Sequence, residues 1–351
     1  MTGNMQKQKE IIDKRYDREL FKKALKAAKQ AKEEERKRKA RKKIQNTVIY
    51  TFGGILICIT VYFLLTLIKP KEEYILSNQV RIENAFKEIQ GENISSEIGR
   101  ELMIPEISSL SAIAFNPLNG EVLYEKNINE KLSIASLTKL MSAIITLETF
   151  SLDEVVSVSR ENIPQDLDWQ LGLEEGDKVS IENLLKAMLI SSYNDCAYIV
   201  ANAYPYGGYV GFVKAMNRKA KELNMDSSSF SNPAGIDQED NFSTVKDLAL
   251  LVSVSRKYPE ILKMANISKE IVNWSTQQGV QSKEILTTNQ LLGSNSYMKG
   301  LKTGITDLAG QCFTGYFVYP SGNELLTIVI NSRDRFKETV LIESLARPLL
   351  R

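Results

Sequence analysis

Residues 47–68, TVIYTFGGILICITVYFLLTLI, contain no charged side chain. As a helix, about 21 such residues rising ~1.5 Å each cover ~31 Å, the hydrocarbon thickness of a bilayer. A buried globular helix is a poor account of so long an uninterrupted run. The run is also too long for the core of a signal peptide, and no A-x-A-like site follows it. RKRKARKK lies just before it, and basic clusters mark the cytoplasmic flank. The expected topology is therefore a single-pass anchor in the cell membrane, with the N-terminus inside and residues 69–351 outside.

The net charge of +2 conceals a division. Residues 1–46 carry 17 Lys/Arg against 7 Asp/Glu, and the remainder of the chain carries 28 against 36. The basic tail reads as a charged helix with Ile12, Tyr16, Leu20, Ala24 and Ala28 at intervals of four. Its bland role is to orient the anchor. Its sharper one is contact with anionic lipid or a cytoplasmic partner. Nucleic acid is not expected, since no aromatic-studded fold accompanies the charge. Residues 69–108 read as a stalk, and 109–351 as the folded domain.

The chain has no histidine. That excludes Ser-His-Asp triads, Cys-His pairs and H-E-x-x-H zinc sites. Cys58, Cys196 and Cys312 are far apart and form no C-x-x-C, so no metal site is expected. No cofactor motif appears either. Whether Cys196 and Cys312 pair is open at this level. A hydrolase built from this chain must move protons with a carboxylate, tyrosine, lysine or metal.

IASLTKLMSAI, residues 134–144, offers such a group. Leu137, Leu140, Met141 and Ile144 recur at helical spacing, and Lys139 lies one turn after Ser136. Residues three apart share a helix face, so a neutral Lys139 amine could take the Ser136 hydroxyl proton. S-x-x-K alone is weak, and a second copy runs from Ser243 to Lys246. There Thr244 and Asp247 read as a capping box for the following helix. The first copy differs because SSYND, with Ser192, Tyr193 and Asn194, and LKTGIT, with Lys302, Thr303 and Gly304, follow it in order.

S-x-x-K, S-x-N and K-T-G in this order resemble the penicillin-binding proteins and serine β-lactamases. The flanks GEVLYEKNINEKLSIASLTKLMSAIITLE, FSNPAGID and GLKTGITDLAGQC narrow the resemblance to low-molecular-mass D-alanyl-D-alanine carboxypeptidases, over about residues 110–350. The resemblance implies that Ser136 is the nucleophile and Lys139 its base, with Ser192 relaying a proton and Asn194 orienting substrate and lysine. Backbone N–H groups of Ser136 and Ile305 would form the oxyanion hole. Lys302, Thr303 and Thr306 would hold the substrate carboxylate, and Gly304 would leave room for an extended peptide. Repulsion from Lys302 would help to lower the pKa of Lys139. The implied partners are peptidoglycan stem peptides, with β-lactams as covalent inhibitors. A D,D-endopeptidase and a weakly catalytic scaffold for wall-synthesis or division partners are the alternatives. A class A β-lactamase fits less well, because no E-x-x-L-N follows S-x-N.

The chain departs from the family pattern at Tyr193, where glycine is common, at Ala234, where histidine is common, and at Trp169 and Gln170, where small residues are common. The expected fold is an α/β (α+β) arrangement of the β-lactamase/D,D-peptidase type. An antiparallel sheet, from strands at both ends of the domain, is flanked by helices and carries a helical lobe. Residues 151–285 read as mostly helical.

Overall fold

A computed structural model describes residues 107–350. The basic tail, the apolar run with Cys58, and all but the last two residues of the stalk lie outside the described residues. No helix among the described residues is long and apolar enough to cross a membrane.

The first hairpin forms where the NPLNG turn predicts it, from β1 (Ser111–Phe115) and β2 (Val122–Lys126). The three C-terminal strands are β7 (Met298–Thr306), β8 (Gly310–Val318) and β9 (Glu324–Ser332). All five join in one antiparallel sheet of order β2-β1-β9-β8-β7. Strand β1 is buried along its whole length. Such continuous burial requires cover on both faces. The C-terminal helix α7 (Arg335–Ala346) covers one face, with Ile342 and Ala346 against Phe313, Phe317 and Val329. The helical lobe covers the other.

The lobe contains α1 (Thr138–Thr149), α2 (Ile181–Ile190), α3 (Asn194–Asn202), α4 (Gly208–Glu222), α5 (Val245–Ser255) and α6 (Pro259–Ala265). Helix α1 is buried from Thr138 through Thr146, so it is the axis of the lobe rather than an amphipathic surface helix. Its polar residues are satisfied internally. Ser142 Oγ donates to the Pro233 carbonyl at 2.6 Å, and Thr146 Oγ1 to the Ser142 carbonyl at 2.7 Å. The second S-x-x-K is structural. Thr244 Oγ1 caps α5 by accepting from Asp247 N, and buried Ser243 shares a hydrogen bond with Ser228.

The mostly helical reading of residues 151–285 needs correction. They also hold a second sheet, β3-β4-β5-β6, from Val155–Ser157, Lys178–Ser180, Lys269–Thr276 and Gly279–Leu286. Two of its strands have three residues, too few to show a period of two. The β5–β6 hairpin is largely exposed, so no apolar alternation marks it. Cys196 and Cys312 are both buried free thiols.

Candidate active site

Three segments meet at the N-terminal end of α1. Ser136 lies on a 3-10 turn, Ala135–Leu137, that runs directly into α1. Among the described residues, six other than glycine have positive φ. Three are asparagines, which tolerate it, and the others are Ala135 (48°), Trp169 (54°) and Ser192 (64°). All three of these flank this cleft. Each such residue costs roughly 1–3 kcal/mol and persists only where its surroundings enforce it.

Lys139 is fully buried. Its Nζ lies 2.7 Å from Ser136 Oγ, 2.7 Å from Asn194 Oδ1 and 2.7 Å from the Ala234 carbonyl. Asn194 Nδ2 donates to the Asp168 carbonyl at 2.8 Å, which fixes the amide so that its oxygen faces Lys139. Two of the three partners can therefore only accept. A neutral amine gives its two N–H groups to them and leaves its lone pair facing the Ser136 hydroxyl. Burial lowers the Lys139 pKa to about 7, against the opposing pull of Cys196 and Asp195.

Lys302, on β7, is also fully buried, and its Nζ donates to the Thr303 carbonyl at 3.0 Å. Its pKa lies well below the ordinary lysine range through burial first, then repulsion from Lys139 and Arg335. Burial is the first cause at both lysines, and repulsion between the two adds to it at Lys302. Arg335 gave no sign of itself in the sequence. Its Nη1 donates to the Gly304 carbonyl at 2.7 Å, behind the strand.

Gly304 has a second role besides leaving room. A Cβ there would lie 3.0 Å from Ala135 Cβ and 3.0 Å from Ser136 N. Glycine lets β7 press against the serine turn, and β7 is the edge strand of its sheet. Gly235 is more stringent, with φ of 83° and a Cβ that would fall 1.9 Å from the Ala135 carbonyl oxygen. It brings the loop after α4 onto the same turn, so that the Ala234 carbonyl reaches Lys139. Asn232 Oδ1 holds that loop by accepting from the N–H groups of Ala234, Gly235 and Ile236.

The other predicted residues divide. Ser192 is buried beside Asn194, and Ile305 is exposed. Thr303 Oγ1 hydrogen-bonds Thr288 Oγ1. The Thr306 hydroxyl donates to Asp237 at 2.7 Å and accepts from Ala309 N, so it is engaged in a clasp. Sequence reasoning missed that clasp and also Asp195. The buried Asp195 carboxylate accepts from the N–H groups of Leu171, Gly172 and Cys196. Among the described residues no group of three or more His, Cys, Asp or Glu side chains could hold a metal.

A five-stranded sheet with a helical lobe, and a serine–lysine pair at the start of the lobe's central helix, define the class of the D,D-peptidases. The Streptomyces K15 DD-transpeptidase superposes with a TM-score of 0.67 at 26% identity, over 70% of this chain and 100% of that one. Penicillin-Binding Protein D2 from Listeria monocytogenes, in an ampicillin-bound form, gives 0.60 at 32% identity, over 69% and 99%. Residues 99–334 match the family Peptidase S11, D-alanyl-D-alanine carboxypeptidase, and the chain belongs to that family. Two curated relatives are the D-alanyl-D-alanine carboxypeptidase DacF of Bacillus subtilis and a D-alanyl-D-alanine endopeptidase of Escherichia coli. The first is 31% identical over 58% of this chain and 52% of its own. The second is 33% identical over 59% of this chain and 66% of its own. The match spans between half and two thirds of the length of these relatives.

Proposed function

We propose that this protein is a membrane-anchored serine D-alanyl-D-alanine carboxypeptidase. It removes the terminal D-Ala of peptidoglycan stem peptides through an acyl-enzyme on Ser136. The observation that carries this reading is the buried Lys139 amine, whose Nζ lies 2.7 Å from Ser136 Oγ and from two carbonyl acceptors. Lys139 takes the hydroxyl proton as Oγ attacks the peptide carbonyl. The carbonyl oxygen, now negative, turns toward the N–H groups of Ser136 and Ile305. Ser192 passes a proton to the leaving D-Ala amine, and water then releases the acyl group. Lys302 and Thr303 receive the terminal carboxylate. β-Lactams enter the same route and remain as adducts.

Penicillin is expected to add its mass to the peptide containing Ser136 and never to one containing Ser243. A Ser136→Ala protein that still acquired the adduct would refute the assignment. Relatives named as endopeptidases, at 33% identity, favour cross-link cleavage as the second reading. Release of D-Ala from monomeric stem peptides, compared with cleavage of cross-linked dimers, separates the two.

The anchor at residues 47–68 and an extracytoplasmic catalytic domain belong to the same proposal, with the basic tail facing cytoplasm and anionic lipid. The charge split and the uncharged run support it. Protease applied to intact spheroplasts is expected to digest the catalytic domain and spare the tail.

A further inference from the structure

Three side chains beside the Ser192–Asn194 turn have no part in acyl transfer. Tyr193 sits between Ser192 and Asn194 and is half-buried. Trp169 stacks on it, with ring centroids 6.1 Å apart at 25°. Lys283, from β6, places its Nζ 4.9 Å from the Tyr193 ring centroid. The same Nζ donates to the Leu171 carbonyl at 3.1 Å.

Trp169 is 60% exposed, yet it is held from several sides. Its Nε1 donates to the Ser191 carbonyl at 2.5 Å, and its own carbonyl accepts from Asn194 N at 2.9 Å. Residues on either side are tied down as well, Asp168 by Asn194 Nδ2, and Leu171 and Gly172 by Asp195. The left-handed backbone at a bulky residue is disfavoured and is maintained by these bonds. An exposed indole fixed in advance loses little freedom on contact, which suits a binding anchor. Lys283 has a carbonyl and an aromatic face as partners among the described residues. Neither neutralises it, and an ammonium has three donors. The terminal carboxylate of a substrate is already provided for by Lys302, so Lys283 awaits a different anion.

We propose that Trp169, Tyr193 and Lys283 form a specificity subsite for the peptide chain that leads into the scissile bond. The indole face takes an aliphatic stretch of that chain, and the Lys283 ammonium takes a free carboxylate beside it. The subsite adjoins the reacting centre through Asn194, which follows Tyr193 in the chain and touches Lys139. This inference rests on the reading of Ser136 as the nucleophile of a D-Ala-D-Ala peptidase.

The test uses the full chain in detergent and two peptides ending in D-Ala-D-Ala. They differ only in whether one upstream residue is glutamate or glutamine. Penicillin titration counts functional sites, and kcat and KM are measured for each peptide. The wild type is expected to favour the carboxylate peptide about fivefold, the upper end for a partly exposed ion pair. In Lys283→Gln the ratio is expected to fall to about one, and in Lys283→Arg to persist, since the charge remains. Trp169→Ala is expected to raise KM for both peptides while kcat holds. Equal use of the two peptides by the wild type would overturn the proposal. So would an unchanged ratio in Lys283→Gln, or a lower KM in Trp169→Ala, which would mean that the ring obstructs the cleft. A wild type that neither takes up penicillin nor cleaves either peptide would instead bring down the serine-peptidase reading itself.

Discussion

The two walls of the cleft each bury a lysine, and they treat it in different ways. On the helical wall, Lys139 meets a hydroxyl and two carbonyl oxygens, all at 2.7 Å. On the strand wall, Lys302 has one carbonyl at 3.0 Å and the Arg335 guanidinium in its field. The first arrangement uses every hydrogen and the lone pair of a neutral amine. The second leaves positive charge poorly compensated, the condition in which an arriving carboxylate is most stabilising. Equal burial therefore does not mean equal role. Under the proposed function, partner chemistry separates a base from an anion receptor.

Removing the base is the harshest test of this contrast. Lys139→Ala is expected to reduce the penicillin acylation rate by at least about a thousandfold, within the range for losing a general base. Stopped-flow acylation measures it, and a fall of only a few-fold would transfer the role of base to another group. In the wild type the same rate should track the neutral fraction of Lys139. Below pH 7 the group becomes an ammonium without a lone pair, so the rate drops about tenfold per pH unit. Above pH 7 it levels off, since the folded pKa is about 7.

Lys302→Ala should act next most strongly, and elsewhere. Loss of the charged contact should lower kcat/KM for a D-Ala-D-Ala peptide by about 10–100-fold. The acidic limb near pH 7 is expected to stay in place, because burial is what lowers the Lys139 pKa. A limb displaced to higher pH would show that repulsion from Lys302 also tunes the base.

Asp237→Ala tests how the walls are joined. Its carboxylate accepts from the Thr306 hydroxyl and from Leu308 N, clasping the loop that presents the Ala234 carbonyl to the end of β7. Its loss should cost about 1–3 kcal/mol of stability, read from denaturant unfolding, with activity only a few-fold lower. The smallest effect should come from EDTA. No histidine exists to hold zinc, and D,D-peptidase activity is expected to be unchanged. A loss restored by added zinc would contradict the serine–lysine mechanism.

Much of this site could be read from residue identity. The helical spacing of Leu137, Leu140, Met141 and Ile144 placed Lys139 one turn from Ser136. The order of S-x-x-K, SSYND and LKTGIT joined three distant segments, and the sheet has the strands that the hydrophobic runs of both ends predict. The unread part was of another kind. Ala234 acts through its carbonyl, which every residue possesses. Gly235 is required by an oxygen that belongs to Ala135, a hundred positions earlier in the chain. Thr306 looked free to bind a carboxylate until Asp237 was found beside it. The β5–β6 hairpin went unseen because few of its side chains are buried.

The sequence by itself determined which groups could do chemistry. With no histidine, a serine and a lysine at helical spacing were the workable pair, and two further motifs supplied an amide and a second cation. The tertiary structure decided what state those groups are in. Lysine is ordinarily an ammonium near neutral pH, and no local spacing changes that. Only the closure of α1, α3, the Asn232–Asp237 loop and β7 around Lys139 removes water and supplies two fixed acceptors. The free energy of a charge depends on its whole surroundings, and those come from segments far apart in the chain.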